Sequence, residues 1–359
     1  MNLLKLKTLN SIAAIATVAL TSSAMAVIQA DPAFTANGGR RVITPGNPAS
    51  LPSSIDSFYA NAGENLYGTM NNSFLGWPIG PRSFLGARHV AIGAGGTLSF
   101  DNTTYTVASR QDLTANFLDQ FNQPFVGTSD ISLYTIQAAD PSFPRFAPLL
   151  TPTDTLAAGS PVIVYGKGTD RGTPITATST GGPVRGWYAG NGDGQVSWGS
   201  NRISVEGPVR LGSQALTTYV IGIGFDGVGS SNTTPYEGAL TGGDSSGAVF
   251  ARTSTGQWKL AAINSAVDGP VGYTSDPNIP LSVSFDVSGL YASVIDGVVQ
   301  TPSGPGLLPL MASGRTTSLS TLVAFPQYYD VLVNAVPEPA TMMLVVGAAG
   351  VMLMRKRRE

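Results

Sequence analysis

Thr241-Gly242-Gly243-Asp244-Ser245-Ser246-Gly247-Ala248-Val249-Phe250 sets two glycines, an aspartate and a serine in a tight turn that runs straight into an apolar, strand-like segment. Such a turn can hold a serine hydroxyl outward while the flanking backbone N–H groups point at the same spot. Acyl transfer needs that combination, a nucleophile with donors placed where the oxyanion forms. Gly, Asp and Ser are also ordinary turn residues, so taken alone the stretch reads equally as a plain loop. The decision lies upstream.

Two upstream segments bear on it. Ser83-Phe84-Leu85-Gly86-Ala87-Arg88-His89-Val90-Ala91-Ile92 holds the single histidine of the chain, after a short apolar piece and before a Gly-rich turn. Ser129-Asp130-Ile131-Ser132-Leu133-Tyr134-Thr135-Ile136 opens an apolar strand with an aspartate. Between them, Thr97 to Phe100, the turn Asp101-Asn102 and Thr103 to Val107 read as a hairpin, followed by a polar stretch. Phe146 to Leu149, Pro161 to Gly168, Val184 to Ile223 and Trp258 to Ser265 continue the succession of short strands and turns. Many short strands at regular spacing point to barrels or a sandwich. Val27 to about Ser83 has little periodicity and reads as extended segments and loops. Leu322 to Ala335 reads as a last strand or as a spacer.

His89, Asp130 and Ser245 fall in the order His, Asp, Ser, and on these residues the chain resembles the chymotrypsin-like (trypsin-fold) serine peptidases. Ala87-Arg88-His89 stands where that family has Ala-Ala-His, and Asp130-Ile131-Ser132-Leu133 where it has Asp-Ile-Ala-Leu. Val162 to Gly168 is similar to its Val-Ser-Gly-Trp-Gly strand, and Gly243-Asp244-Ser245-Ser246-Gly247 to its Gly-Asp-Ser-Gly-Gly motif. The similarity runs over roughly residues 42–296, in order. It implies an all-β fold of two antiparallel six-stranded β-barrels, with His89, Asp130 and Ser245 as catalytic residues in the cleft between them. It also implies an oxyanion hole from the backbone N–H groups of Gly243 and Ser245. By the same resemblance Ser265 supports Asp130 and lines the substrate cleft, and Ala239 stands at the base of the primary pocket. No acid at that position argues against selection for Lys or Arg. Asp244 would pair with a freed amino terminus, Val42 being a candidate if Arg40-Arg41 is a processing site; otherwise the dibasic pair is a solvated loop. The chain departs from the family at Arg88, Ser246 and Ala248, and it has no cysteine.

Asp112 and Asp119 are alternatives to Asp130, Ser246 is set aside for Ser245 only by the register of Gly-Asp-Ser, and a lone histidine beside an apolar segment is often structural. Asn191-Gly192-Asp193-Gly194 has too few ligands for a calcium loop and reads as a turn. The tryptophans read as core.

Composition bounds the setting. Charged residues are 12% against 42% hydrophobic, with 43 Gly and 25 Pro among 359 residues, and the net charge is −2. Several of the basic residues stand at the two ends, so the central part is acidic, a poor match for phosphate backbones, and no nucleic-acid partner is expected. Met1 to Ala26 has the three-part order of a secretory signal: Lys5 and Lys7, an apolar run, then Ala24-Met25-Ala26. At the other end, Val336-Pro337-Glu338-Pro339, an apolar run from Ala340 to Met354 and Arg355-Lys356-Arg357-Arg358 resemble a PEP-CTERM sorting signal of Gram-negative bacteria. That run of 15 residues is short of the roughly 20 a stable span needs. The resemblance implies an exosortase as partner, transient residence in the inner membrane through residues 340–354, and a final place at the cell surface or in the matrix. A simple C-terminal anchor is the alternative.

The resulting expectation has four parts: a signal peptide over 1–26, a protease domain over 27–300, a terminal strand or spacer over 301–335, and a sorting segment with one hydrophobic helix over 336–359. The activity expected is exported serine endopeptidase on protein or peptide substrates, without metal or organic cofactor. A non-catalytic surface protein using the same fold as a binding scaffold is the rival, and a β-sandwich adhesin a third.

Overall fold

The computed structural model of the 359-residue chain describes residues 27–118, 124–156, 159–178, 181–211, 216–226, 233–241, 243–267, 282–284, 293–295, 298–300, 318–324 and 326–335. The expected signal segment 1–26 and sorting segment 336–359 lie outside them. Among the described residues no helix is long and apolar enough to cross a membrane.

Two short strands, β1 (Ile28–Gln29) and β2 (Arg41–Val42), and one turn of helix, α1 (Pro52–Ile55), precede the first barrel. That barrel is built from β3 (Gly68–Met70), β4 (Phe74–Gly80), β5 (Ser83–Ala87), β6 (Thr97–Phe100), β7 (Thr103–Leu118) and β8 (Pro124–Ile136). Antiparallel pairing runs β8-β5-β4-β3-β6-β7 and returns from β7 to β8, so the sheet closes. The Asp101-Asn102 turn has both residues at positive φ (52° and 60°), the geometry that matches a two-residue hairpin to the strand twist.

The chain continues through β9 (Pro161–Gly166), β10 (Thr169–Thr178), β11 (Gly181–Gly192), β12 (Ser197–Leu211), β13 (Leu216–Ile223), β14 (Gly238–Ala239), β15 (Ala248–Arg252), β16 (Trp258–Val267), β17 (Ser282–Ser284), β18 (Ser293–Ile295), β19 (Val298–Gln300) and β20 (Ser318–Leu322), ending in helix α2 (Pro326–Ala335). The second barrel is β12-β9-β15-β16-β20-β13, closed by antiparallel β12–β13 pairing. Strands β17, β11, β10, β19 and β18 form a separate sheet beside it. The fold is therefore all-β with two antiparallel six-stranded barrels. Two closed barrels exclude the β-sandwich.

Period-two alternation decides which side chains face where. In β9, Val162 and Val164 fill the second barrel while Ile163 and Tyr165 point between the barrels; in β15, Val249 and Phe250 divide the same way. In β5, Phe84 enters the first barrel, where it stacks on Tyr134 at 4.7 Å, and Leu85 faces out. The layer between the barrels is aromatic: Trp77 lies 5.4 Å from Phe250 and 5.7 Å from Tyr165.

Several expectations change here. Phe146 to Leu149 forms no strand, only a single bridge from Leu149 to Leu260; Pro148 has no N–H to give a ladder and Ala147 is simply buried. The folded unit does not stop at residue 300, because β20 is a wall of the second barrel and α2 buries Tyr328 and Leu332. Leu322 to Ala335 is thus mainly helix, not a strand or spacer. The dibasic pair is no solvated loop. Arg40 is 1% exposed and bonds both oxygens of Asp193 at 2.7 and 2.9 Å, with Asp170 at 2.6 Å. Asp193 thereby serves as the anchor of a turn, with Gly194 at φ 72°.

Candidate active site

Strand β5 ends at Ala87, which pairs with Ile131 of β8. The chain then turns through a single 3-10 turn, Arg88–Val90. This puts His89 across from Asp130. The His89 backbone N–H donates to Asp130 Oδ1 at 3.0 Å, and its Nδ1 lies 2.8 Å from Oδ2. Asp130 is fully buried and the His89 side chain 7% exposed. A buried carboxylate only accepts, so Nδ1 carries the proton and Nε2 is left as the acceptor. Nε2 lies 2.7 Å from Ser245 Oγ. The three residues singled out by sequence, separated by 41 and 156 positions, form one hydrogen-bonded line across the two barrels.

Of the alternatives to Asp130, Asp112 is occupied: it takes Arg88 Nε at 2.9 Å, Arg110 Nε at 2.6 Å and the Ser132 hydroxyl at 2.7 Å. These donors hold its carboxyl below the usual range despite partial burial. Asp119 lies outside the described residues.

The turn carrying Ser245 is held at many points. Asp244 Oδ2 accepts from the Thr241 N–H at 2.7 Å, and the Gly247 N–H closes back on the Asp244 carbonyl at 2.9 Å. Asn264 Nδ2 bridges the carbonyls of Tyr165 (2.8 Å) and Asp244 (3.1 Å). Burial pushes the Asp244 carboxyl well above the ordinary range, against the Thr241 donors and the charge of Arg40. Among the described residues its Oδ1 finds no hydrogen-bond partner of good geometry. Gly243 sits at φ 89°, a conformation glycine takes without steric penalty. Among the described residues the N–H groups of Gly243 and Ser245 donate to no protein acceptor.

Ser265, on β16, donates its hydroxyl to Asp130 Oδ2. Ala239 is 1% exposed and packs with Ile28, Ala30, Trp187 and Phe225. Its strand, β14, pairs with β1 (Ile28–Gln29). Val42, in contrast, is paired with Ser197 in the β2–β12 ladder.

Two participants were missed from sequence: Trp77 and Asn264, which bond the turn carrying Ser245, while Ser246 within that turn bonds Ala87 of the first barrel. The signal for Ser246 was present, since a serine stands there where the motif has glycine. Trp77 and Asn264 are joined to the turn only by tertiary structure.

No family model matches the chain, and no curated protein matches it. Among solved structures it is similar to neuropsin, a serine protease expressed in the limbic system of mouse brain, at 13% identity and a TM-score of 0.40, over 77% of this chain and 96% of that one. The two barrels are established by the strand pairing, not by this likeness.

Proposed function

We propose that this chain is a serine hydrolase of the endopeptidase type, acting on protein or peptide substrates with Ser245 as nucleophile. The observation that carries the reading is the continuous line from buried Asp130 through His89 Nδ1 and Nε2 to Ser245 Oγ at 2.8 and 2.7 Å. In the first step Oγ attacks the scissile carbonyl carbon while its proton passes to Nε2. Asp130 stabilises the imidazolium and keeps its tautomer. The oxyanion is received by the Gly243 and Ser245 N–H groups. His89 then returns the proton to the leaving amine, and the acyl group stays on Ser245 until water, deprotonated by the same imidazole, releases it. Ser265 supports Asp130, whereas Ala239, packed among Ile28, Ala30, Trp187 and Phe225, lends no support to a choice of primary side chain.

The test is labelling of the purified protein with a fluorophosphonate, beside Ser245→Ala and His89→Ala. Covalent mass on Ser245 in the wild type and in neither variant supports the enzyme. No labelling leaves a folded scaffold with an idle triad.

The same proposal places the protein outside the cytoplasm, on the strength of the segments at 1–26 and 336–359. Its check is the mass of the chain recovered from cells. Loss of both segments supports processing by signal peptidase and exosortase; retention of both refutes it.

A further inference from the structure

Ser246 is fully buried and adopts φ 65°, in the left-handed region where a side chain costs about 1 kcal/mol and glycine costs nothing. A serine held there at that cost has all of its polar atoms engaged. Its hydroxyl donates to the Leu75 carbonyl at 2.6 Å and accepts from the Ala87 N–H at 2.9 Å. Its carbonyl accepts from the Trp77 indole N–H at 3.0 Å. Its own N–H donates to the Asn264 carbonyl at 3.0 Å.

The first three partners belong to β4 and β5 of the first barrel, whereas Ser246 stands in a loop of the second. Ala87 is two residues before His89 and is paired with Ile131, the neighbour of Asp130. The hydroxyl therefore joins the turn carrying the nucleophile to the strand that leads into the base, so that a shift between the barrels at this contact would lengthen the Ser245–His89 bond. Gly86 leaves the room it needs: a β-carbon there would lie 2.8 Å from Ser246 Oγ. The Trp77 and Asn264 bonds run through the Ser246 backbone and survive loss of the side chain. The hydroxyl is the part that depends on serine.

We infer that Ser246 is a positioning residue that sets the distance between Ser245 Oγ and His89 Nε2 by clamping the two barrels through its hydroxyl. This rests on reading Ser245 and His89 as nucleophile and base. Removing the hydroxyl loosens the alignment of the reacting groups without touching them.

The test compares Ser246→Gly, Ser246→Ala and Gly86→Ala with wild type. The first relieves the left-handed strain and the second keeps it; both lose the clamp. Two readouts are taken: the rate of fluorophosphonate labelling, and the Nδ1–H resonance of His89, a single signal because the chain has one histidine. A clamp predicts that both Ser246 variants label roughly tenfold or more slowly with a shifted His89 resonance. It predicts the same slowing for Gly86→Ala, and no further slowing when Gly86→Ala is added to Ser246→Gly. A purely structural role predicts that strain-free Ser246→Gly labels within about twofold of wild type with its His89 resonance unmoved, and that outcome overturns the inference. Should wild type fail to label, the hydrolase reading falls by itself. The His89 resonance of Ser246→Gly against wild type then decides the clamp alone.

Discussion

Gly166 and Asp244 are in such close contact that a β-carbon on Gly166 would lie 1.9 Å from Asp244 Oδ1. The end of β9 thus forms one wall of the recess in which the carboxyl is buried. Gly166→Ala has to displace either the strand, held by pairing to Ser197, or the turn. The expected cost is about 1–3 kcal/mol, the range for overfilling a tight site, read as a lower midpoint in urea. Because Asp244 is adjacent to Ser245, labelling of Ser245 should slow as well. An unchanged midpoint and rate would mean that the turn does not lean on this wall.

How far the sequence led depended on distance along the chain. The turn at 241–247 and the apolar segments around His89 and Asp130 are local patterns, so type and order could be read from a few residues each, although Asp130 stands within β8 and does not open it. The Asp101-Asn102 hairpin was legible for the same reason. Strand length was not. Strand β7 runs to Leu118, well past the Val107 at which its alternation fades, because the polar stretch is held by pairing to β8 and not by a core of its own. Arg40 looked like a surface charge until Asp170 and Asp193 arrived from more than a hundred residues away. Helix α2 carries few apolar residues beyond Tyr328, Val331 and Leu332, too short a stripe to separate helix from strand by pattern.

Glu237 predicts a pH dependence of stability. Burial pushes its carboxyl up to about 8 from an ordinary 4.5, although Thr234 N–H and hydroxyl and the Asp226 N–H all favour the ionised form. The folded state keeps this proton over a range in which the unfolded chain has lost it. Its contribution is therefore full below about pH 4.5 and is lost as pH rises to about 8, a change of several kcal/mol at about 1.4 kcal/mol per unit. Asp244, also raised, acts in the same direction. Glu237→Gln should flatten part of the slope between urea midpoints measured at pH 5 and pH 8. A variant with the wild-type slope would show that Glu237 keeps an ordinary pKa.

Arg40 predicts where the chain is not cut. Its guanidinium is enclosed by Asp193 and Asp170, and Arg41 lies 4.4 Å over Phe34 and 4.6 Å over Tyr236 with its backbone in the β2–β12 ladder. A protease needs an unpaired, extended segment, so Arg41–Val42 should stay intact in fully labelling protein, as peptide mapping would show. Arg40→Ala leaves two carboxylates without their cation. Both reach solvent, so the loss should sit near the lower end for a broken buried pair, about 3 kcal/mol. If active protein always begins at Val42, the order of events is the reverse and cleavage is what completes the site.

Asp130 and Ser265 separate orientation from support. Asp130 Oδ2 faces two donors, His89 Nδ1 at 2.8 Å and the Ser265 hydroxyl, and Oδ1 faces the His89 N–H. Asp130→Asn sets an NH₂ group against donors and favours the tautomer with the proton on Nε2, where it cannot accept from Ser245. The rate of ester hydrolysis should fall by about 10⁴. Ser265→Ala removes one donor and leaves the tautomer intact; a hydrogen bond to a charged group is worth about 1.5–3 kcal/mol, an upper limit of roughly 10–100-fold in rate. The two losses should be far from additive in the double variant, because an amide at 130 no longer needs the support of Ser265. Equal losses from the two single variants would show that Asp130 acts only as a structural acceptor, and the proton path from Ser245 through His89 would then lack its third member.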